Sequence, residues 1–461
     1  MAGIGFKLKR ILSKEFFLTD LTTFLYSVLI TAGPWVISSI SLLIIFKFIG
    51  VEDRFFVGST AYSFIFSMVL SGGFSFLIIR VVADLTYEKK YAEIYRNYSG
   101  AIILIFIISA ILSALFFTIN DDYTFQQKFL ASYLFVVLSL IWTQTIFLSA
   151  TEDYRPAVFS FVSGFSIAVL LAYFLKKLDN GTLISFDVGM GFILFLQNIY
   201  IVKSFKRSGK PSFYFLKNLR KYPQNLFIGF LYYFSVWIDD IIAWFKSGEI
   251  LLPGFRFSSM YDLPMFVAYL FIIPALSMFV LQIETEFYLE YRRFFMNLEQ
   301  NKPLRNIVLQ KKRMKDSLLY SIKNILIVQL SAAFIGLLLS SIIGENLGFS
   351  NVSLYIFRLG IIGASFNSLF LTLILINLYF DFRDIVLESV VLTFGTNFIV
   401  SMITFEEVPG LGFVLAFFLG TLYIFLRFYR RYKELIFYVY ITQPTNLPKS
   451  KKKILKLGEE A

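Results

Sequence analysis

Long apolar runs, each close to the length of a bilayer-crossing helix, alternate along the chain with short polar stretches. A helix needs about 20 mostly apolar residues to cross the hydrocarbon core, and it satisfies its own backbone there. The pattern predicts spans at 22–49, 55–82, 97–118, 129–150, 156–175, 184–204, 224–246, 261–283, 317–343, 352–380, 385–403 and 410–428. These runs lack the strict two-residue alternation of a membrane β-barrel. The stretch from Met1 to Asp20 is basic and amphipathic. It does not read as a cleavable signal, because the apolar run behind it is too long and no small-residue cleavage site follows.

The run of spans repeats at an offset near 200 residues. Trp35, in Gly33-Pro34-Trp35, falls opposite Trp237, and Asp84 falls opposite Glu284. Each half then holds six spans and starts from the same side, so the predicted fold class is an all-α polytopic membrane protein of two parallel six-helix repeats. Repeats related by an axis along the membrane normal are a transporter architecture, with the substrate path between them. The expected organisation is an N-terminal segment 1–20, a first bundle 21–204, a basic linker 205–223, a second bundle 224–428 with a polar loop 284–316, and a basic tail 429–461.

Composition narrows the chemistry. The chain is 57% hydrophobic and 16% charged, against roughly 45–50% and about 25% in soluble domains. It has neither cysteine nor histidine, which removes disulfides, thiolate metal sites, cysteine nucleophiles and the commonest general base. No Gly-rich nucleotide loop with its lysine occurs. No catalytic set, metal site or cofactor is expected. Of the 43 Lys and Arg, 34 fall on the segments sharing a side with the N-terminus, and six fall on the opposite loops. Basic loops stay cytoplasmic, so both termini are expected inside the cell's inner membrane.

A few residues stand out against this apolar background. Gly33-Pro34 breaks the first span, since proline removes a backbone donor and clashes with the preceding turn. The break is either a packing kink or a hinge lining a cavity with Trp35. The seventh span carries Tyr232, Ser235, Trp237, Asp239 and Asp240 at membrane depth. A carboxylate there is costly and usually faces an interior or a hydrated cavity. Tyr232, Ser235 and Asp239 share one helical stripe, whereas Asp240 sits with Val236 and Trp237, so Asp239 is the better candidate to line a path. A structural ion pair with Arg358 or Lys47 is the competing reading. In span eight Asp262 suits an N-cap before Pro264, Pro274 should bend the helix, and Glu284 is expected to meet Arg292 and Arg293 at a solvated interface. Arg358, a lone cation in an apolar run, needs a carboxylate or a route to water. The basic segments 203–223 and 284–316, with Lys206, Arg207, Lys311 and Lys312, and the basic tail would bind anionic lipid or dock a cytoplasmic partner. Nothing in the chain would present these charges to nucleic acid.

Several stretches carry a family likeness: Met1-Ala2-Gly3-Ile4-Gly5-Phe6, Gly33-Pro34-Trp35, Trp237-Ile238-Asp239, and the run from Tyr261-Asp262-Leu263-Pro264 through Ile273-Pro274 to Glu284-Thr285. Tyr379-Phe380-Asp381 with Arg383, Asn397, and Gly410-Leu411-Gly412-Phe413 extend it over almost the whole chain. In these the sequence resembles the Pel exopolysaccharide transporter family, the G component of Pel systems. Asp240 departs from the family pattern, which carries a basic residue there. The resemblance implies a twelve-helix inner-membrane protein similar to the multidrug/oligosaccharidyl-lipid/polysaccharide exporters. It further implies export of an N-acetylhexosamine-rich biofilm polymer made by a cytoplasmic glycosyltransferase, with membrane partners that include a cyclic-di-GMP receptor subunit. Other functions open on the residues alone are a lipid-linked oligosaccharide flippase, a cation-coupled drug exporter, and a membrane scaffold or glycosyltransferase subunit.

Overall fold

The computed structural model describes residues 53–151, 155–205 and 207–442, together with 37, 38, 40–42, 44 and 45. Residues 1–36, with the Gly33-Pro34-Trp35 break, lie outside the described residues, as do Lys206 and the tail beyond 442. In chain order the helices are α1 (Arg54–Tyr87), α2 (Tyr91–Ile119), α3 (Phe125–Ser149), α4 (Arg155–Leu175), α5 (Gly181–Phe205), a short linker helix α6 (Tyr214–Lys221) and α7 (Gln224–Lys246). A two-stranded hairpin follows, β1 (Glu249–Leu252) and β2 (Phe255–Phe257). Then come α8 (Asp262–Glu299), α9 (Leu304–Leu347), α10 (Asn351–Tyr379), α11 (Arg383–Thr404), α12 (Leu411–Lys433) and α13 (Leu435–Thr442). Among the described residues eleven helices, all but α6 and α13, are long and apolar enough to cross a bilayer. They match the predicted spans after the first, and the described residues of 22–49 are themselves helical.

The helices start and stop where the sequence supplies caps. Asp53 accepts from the Phe55 N–H at 2.9 Å at the head of α1, Thr124 and Gln127 form a capping box on α3, and Ser350 accepts from the Ser353 N–H at 3.1 Å on α10. Each satisfies a donor that the first helical turn leaves unpaired.

Packing repeats between the halves. In the first, α3 lies against α1, α2 and α5, and α4 lies along α5; in the second, α10 lies against α8, α9 and α12, and α11 lies along α12. The halves meet most closely where α1 crosses α7. Gly229 of α7 sits so near α1 that a Cβ there would lie 2.5 Å from the Gly72 carbonyl oxygen. Glycine on both helices lets two backbones approach as ordinary side chains would not.

The long helix α8 is broken twice. A 3₁₀ turn at Leu270–Ile272 precedes Pro274, and a π turn covers Ile283–Phe287. At the first break Gln329 of α9 replaces a missing rung: its Nε2 donates to the Phe271 carbonyl at 2.8 Å and its Oε1 accepts from the Ala275 N–H at 3.2 Å. A proline kink frees backbone groups, and a neighbouring amide re-satisfies them. The expected polar loop 284–316 is corrected by the structure. It is helical to Glu299 and again from Leu304, with only a short turn between, because Phe294, Leu298, Ile307 and Met314 bury one face of each arm. Glu284 is buried within the π turn rather than solvated, and Arg293 pairs with Glu290. Asp262 is the first helical residue, with Tyr261 at the N-cap position.

The two ends of the bundle differ. At the basic end, Arg431 pairs with Asp384 at 2.6 Å, Arg383 pairs with Asp381 and stacks 3.7 Å over Tyr222, and Lys311 donates to the Lys433 carbonyl at 2.7 Å. At the opposite end the β1–β2 hairpin folds back over the first half.

Candidate functional site

Two cavities open along the seam between the halves. The larger, about 400 Å³, is walled by α1, α2, α3 and α7, with Ser59, Tyr62, Ser63, Phe66, Phe116 and Phe230 among its lining. The smaller, about 150 Å³, is lined by Thr60 and Phe64 of α1, Trp237, Asp240 and Trp244 of α7, and Asp262 and Phe266 of α8. The hairpin reaches both, through Phe255 in the first and Phe257 in the second.

The hairpin seats by aromatic contact. Phe255 is 2% exposed and lies edge-on to Phe55 and Tyr62 of the first half, with ring centroids at 6.0 and 5.1 Å. The Arg256 N–H donates to the Tyr62 hydroxyl at 2.9 Å, and Tyr62 stacks on Trp244 at 4.4 Å with planes 6° apart. Tyr123 donates to the Pro253 carbonyl. Burial pushes its phenol up to about 12, so it stays protonated as that donor. Edge-on and offset aromatic pairs each add about 0.5–1.5 kcal/mol beyond area burial. No local pattern marks this clasp, because its partners lie more than a hundred residues apart in the chain.

The two neighbouring aspartates face opposite ways. Asp239 is fully buried inside the second half, accepting from Tyr261 Oη at 2.6 Å and Asn397 Nδ2 at 2.9 Å. Asn397 also donates to the Ser235 carbonyl at 2.8 Å and accepts from Ser401 at 2.9 Å, and Tyr232 donates to Asn367 at 3.1 Å. The polar stripe Tyr232, Ser235, Asp239 is thus the seam joining α7 to α8, α10 and α11. Asp240, expected to be the less exposed to a path, instead lines the smaller cavity beside Trp237, with only a 3.4 Å approach from Tyr269. The stripe reading reversed the pair because α7 is buried on both sides, against α1 and against α11. A polar face on such a helix marks whichever neighbour can pair with it.

Other candidates disperse. Pro274 stands at the α8 kink, away from both cavity linings. Arg358 is exposed on the outer side of the second half, bonded to Ser340 and Ser341, so it pairs with neither Asp239 nor the cavities. Arg207 and Lys312 are exposed at the basic end, whereas Lys311 is half-buried and committed to the end of α12. Sequence reasoning passed over Asp187, a carboxylate buried in α5; its only signal was one charge inside an apolar run. Among the described residues no cluster of carboxylates could hold a metal ion.

The family model for PelG, described as an exopolysaccharide exporter (EPS-E), matches residues 1–440. The chain belongs to the PelG family. Solved transporters share its architecture. An outward-facing multidrug-resistance MATE family transporter of the MOP superfamily superposes with a TM-score of 0.63 at 14% identity, covering 89% of this chain and 96% of that one. The eukaryotic MATE transporter AtDTX14 gives 0.57 at 14%, covering 91% and 96%. A MOP superfamily transporter from Pyrococcus furiosus gives 0.55 at 14%, covering 89% and 96%. No curated protein matches by sequence. Family and fold together make this PelG-family chain a multi-pass membrane transporter that exports exopolysaccharide, not an enzyme.

Proposed function

We propose that the polymer crosses between the two halves, along the seam where α1 meets α7. The observation that carries this is the larger cavity, whose wall is mostly aromatic and apolar, with Ser59, Ser63 and Tyr62 among its lining. Sugar rings offer apolar faces to such a wall, and about 300–1,000 Å³ suffices for a small-molecule site. The substrate is then an N-acetylhexosamine-rich polymer of a Pel-type biofilm system, handed on by a cytoplasmic glycosyltransferase, with a cyclic-di-GMP receptor subunit among the membrane partners. The 34-to-6 distribution of Lys and Arg supports an inner-membrane protein with both termini in the cytoplasm. The basic end then faces the synthesising machinery and anionic lipid. Single cysteines test the path cleanly, because the native chain has no thiol. Ser63→Cys should export normally until a charged thiol reagent is added, and then stop; continued export with full labelling would place the route elsewhere. Arg207→Glu with Lys312→Glu should release a co-purifying glycosyltransferase while leaving the transporter inserted.

One observation favours a second reading, cation-coupled export of a small molecule: Asp240 and Asp262 both line the smaller cavity beside Trp237 and Trp244. A drug-resistance phenotype on overexpression, without any change in polymer, would favour it.

A further inference from the structure

Arg358 lies on the face of the second half that looks away from the path. Its Nε donates to Ser340 Oγ at 2.8 Å and its Nη2 to Ser341 Oγ at 2.9 Å, both on α9. Among the described residues no carboxylate pairs with it. Its neighbours are exposed apolar side chains: Leu338, Leu339 and Ile342 on α9, Val352 and Tyr355 on α10. Such a wall in a multi-pass protein faces lipid, and a cation left unneutralised in lipid is costly.

Helix arithmetic sets the depth. Arg358 is seven residues past the start of α10 and Ser340 is seven before the end of α9, about 10 Å down each helix from their shared turn. The 29 residues of α10 span about 43 Å, which overshoots a hydrocarbon core of about 30 Å by roughly 6 Å at each end. The Arg358 backbone therefore lies about 4 Å inside the hydrocarbon, within reach of the headgroup layer for a snorkelling side chain. Guanidinium carries five N–H donors. The two serines occupy two of them and fix the plane, which leaves three for a further acceptor.

We propose that Arg358, held by Ser340 and Ser341, is a binding site for the phosphodiester of an anionic phospholipid in the leaflet at the α9–α10 turn. A planar fork matches phosphate better than an ammonium does, and the lipid's net charge neutralises a cation that no carboxylate among the described residues meets. The site is independent of the polymer path.

The test uses the full chain in nanodiscs containing a photoactivatable phosphatidylglycerol, with the phosphatidylcholine analogue as control and attachment mapped by peptide. Mapping separates this site from the basic end, where anionic lipid also gathers. In wild type, peptides within 335–358 should take up phosphatidylglycerol several-fold over phosphatidylcholine. Arg358→Gln should abolish that preference, and the Ser340→Ala/Ser341→Ala double variant, which keeps the charge, should weaken it. Arg358 is exposed, so Arg358→Gln should fold, and unchanged labelling at the basic end reports that it has. Equal labelling by the two lipids in wild type, or undiminished preference in Arg358→Gln, would overturn the proposal.

Discussion

In the second half, Asp239 sits in the core with a tyrosine hydroxyl and an asparagine amide on its two oxygens. In the first half, Asp187 of α5 is just as deep, and neither of its oxygens has a hydrogen-bond partner among the described residues. The same architecture has thus been filled in two ways. The second half is knitted by side-chain pairs that reach across helices: Asp239 to Asn397 and Tyr261, Tyr232 to Asn367, Gln329 to the α8 backbone. The first half has cross-helix pairs as well, Gln144 to the Tyr98 hydroxyl, Tyr98 to Asn198 and Trp142 to Ser67, but none of them reaches Asp187. Cross-helix pairs specify one arrangement, and the two halves differ in whether such pairs hold their buried carboxylate. The contrast is between one buried carboxylate tied into a cross-helix network and one that is not, with the hairpin clasped to the first half beside the seam.

The strongest way to break this comparison is to lock the clasp. A Cβ at Gly254 would lie 2.7 Å from Asn120 Cγ, so Asn120→Cys with Gly254→Cys should form a disulfide pinning the hairpin to the first half. Export should stop on oxidation and return with reductant, each single cysteine serving as control for the strain at Gly254, whose φ is +81°. Export unaffected by the crosslink would leave the hairpin a static cap.

The two aspartates of α7 should come apart next. Asp239→Leu orphans the Tyr261 hydroxyl and one of the two Asn397 amide N–H groups, at about 1–3 kcal/mol for each buried donor, so the detergent-solubilised protein should melt lower and accumulate less. Asp240→Leu faces a cavity and should leave melting nearly unchanged while lowering export. Identical melting for both would dissolve the distinction between a paired and a cavity-facing carboxylate.

Smallest is Asp187→Asn. Replacing a carboxylate that has no hydrogen-bond partner by a neutral isostere should leave thermal stability equal or slightly higher, whereas the same change at Asp239 removes an acceptor in use and should lower it. A destabilised Asp187→Asn would mean the first half holds its carboxylate as firmly as the second does.

The spans, the Pro274 break in α8 and the two-fold order were legible in the amino-acid sequence because each depends on local chemistry. An apolar run long enough to cross a bilayer must close its own hydrogen bonds, and a proline must bend the helix that contains it. The same local reading found Asp239 and Asp240 as costly groups and the likeness to an exporter family. Which of the two faces the cavity was decided only by tertiary structure, because α7 is buried on both sides and a polar stripe does not say whether a partner or water awaits it. The helical course of 284–316 rested on burying one face of each arm against the other. The clasp of Phe255 and the seat of Arg358 on two serines likewise join residues that no local pattern links, and only packing brings them within reach.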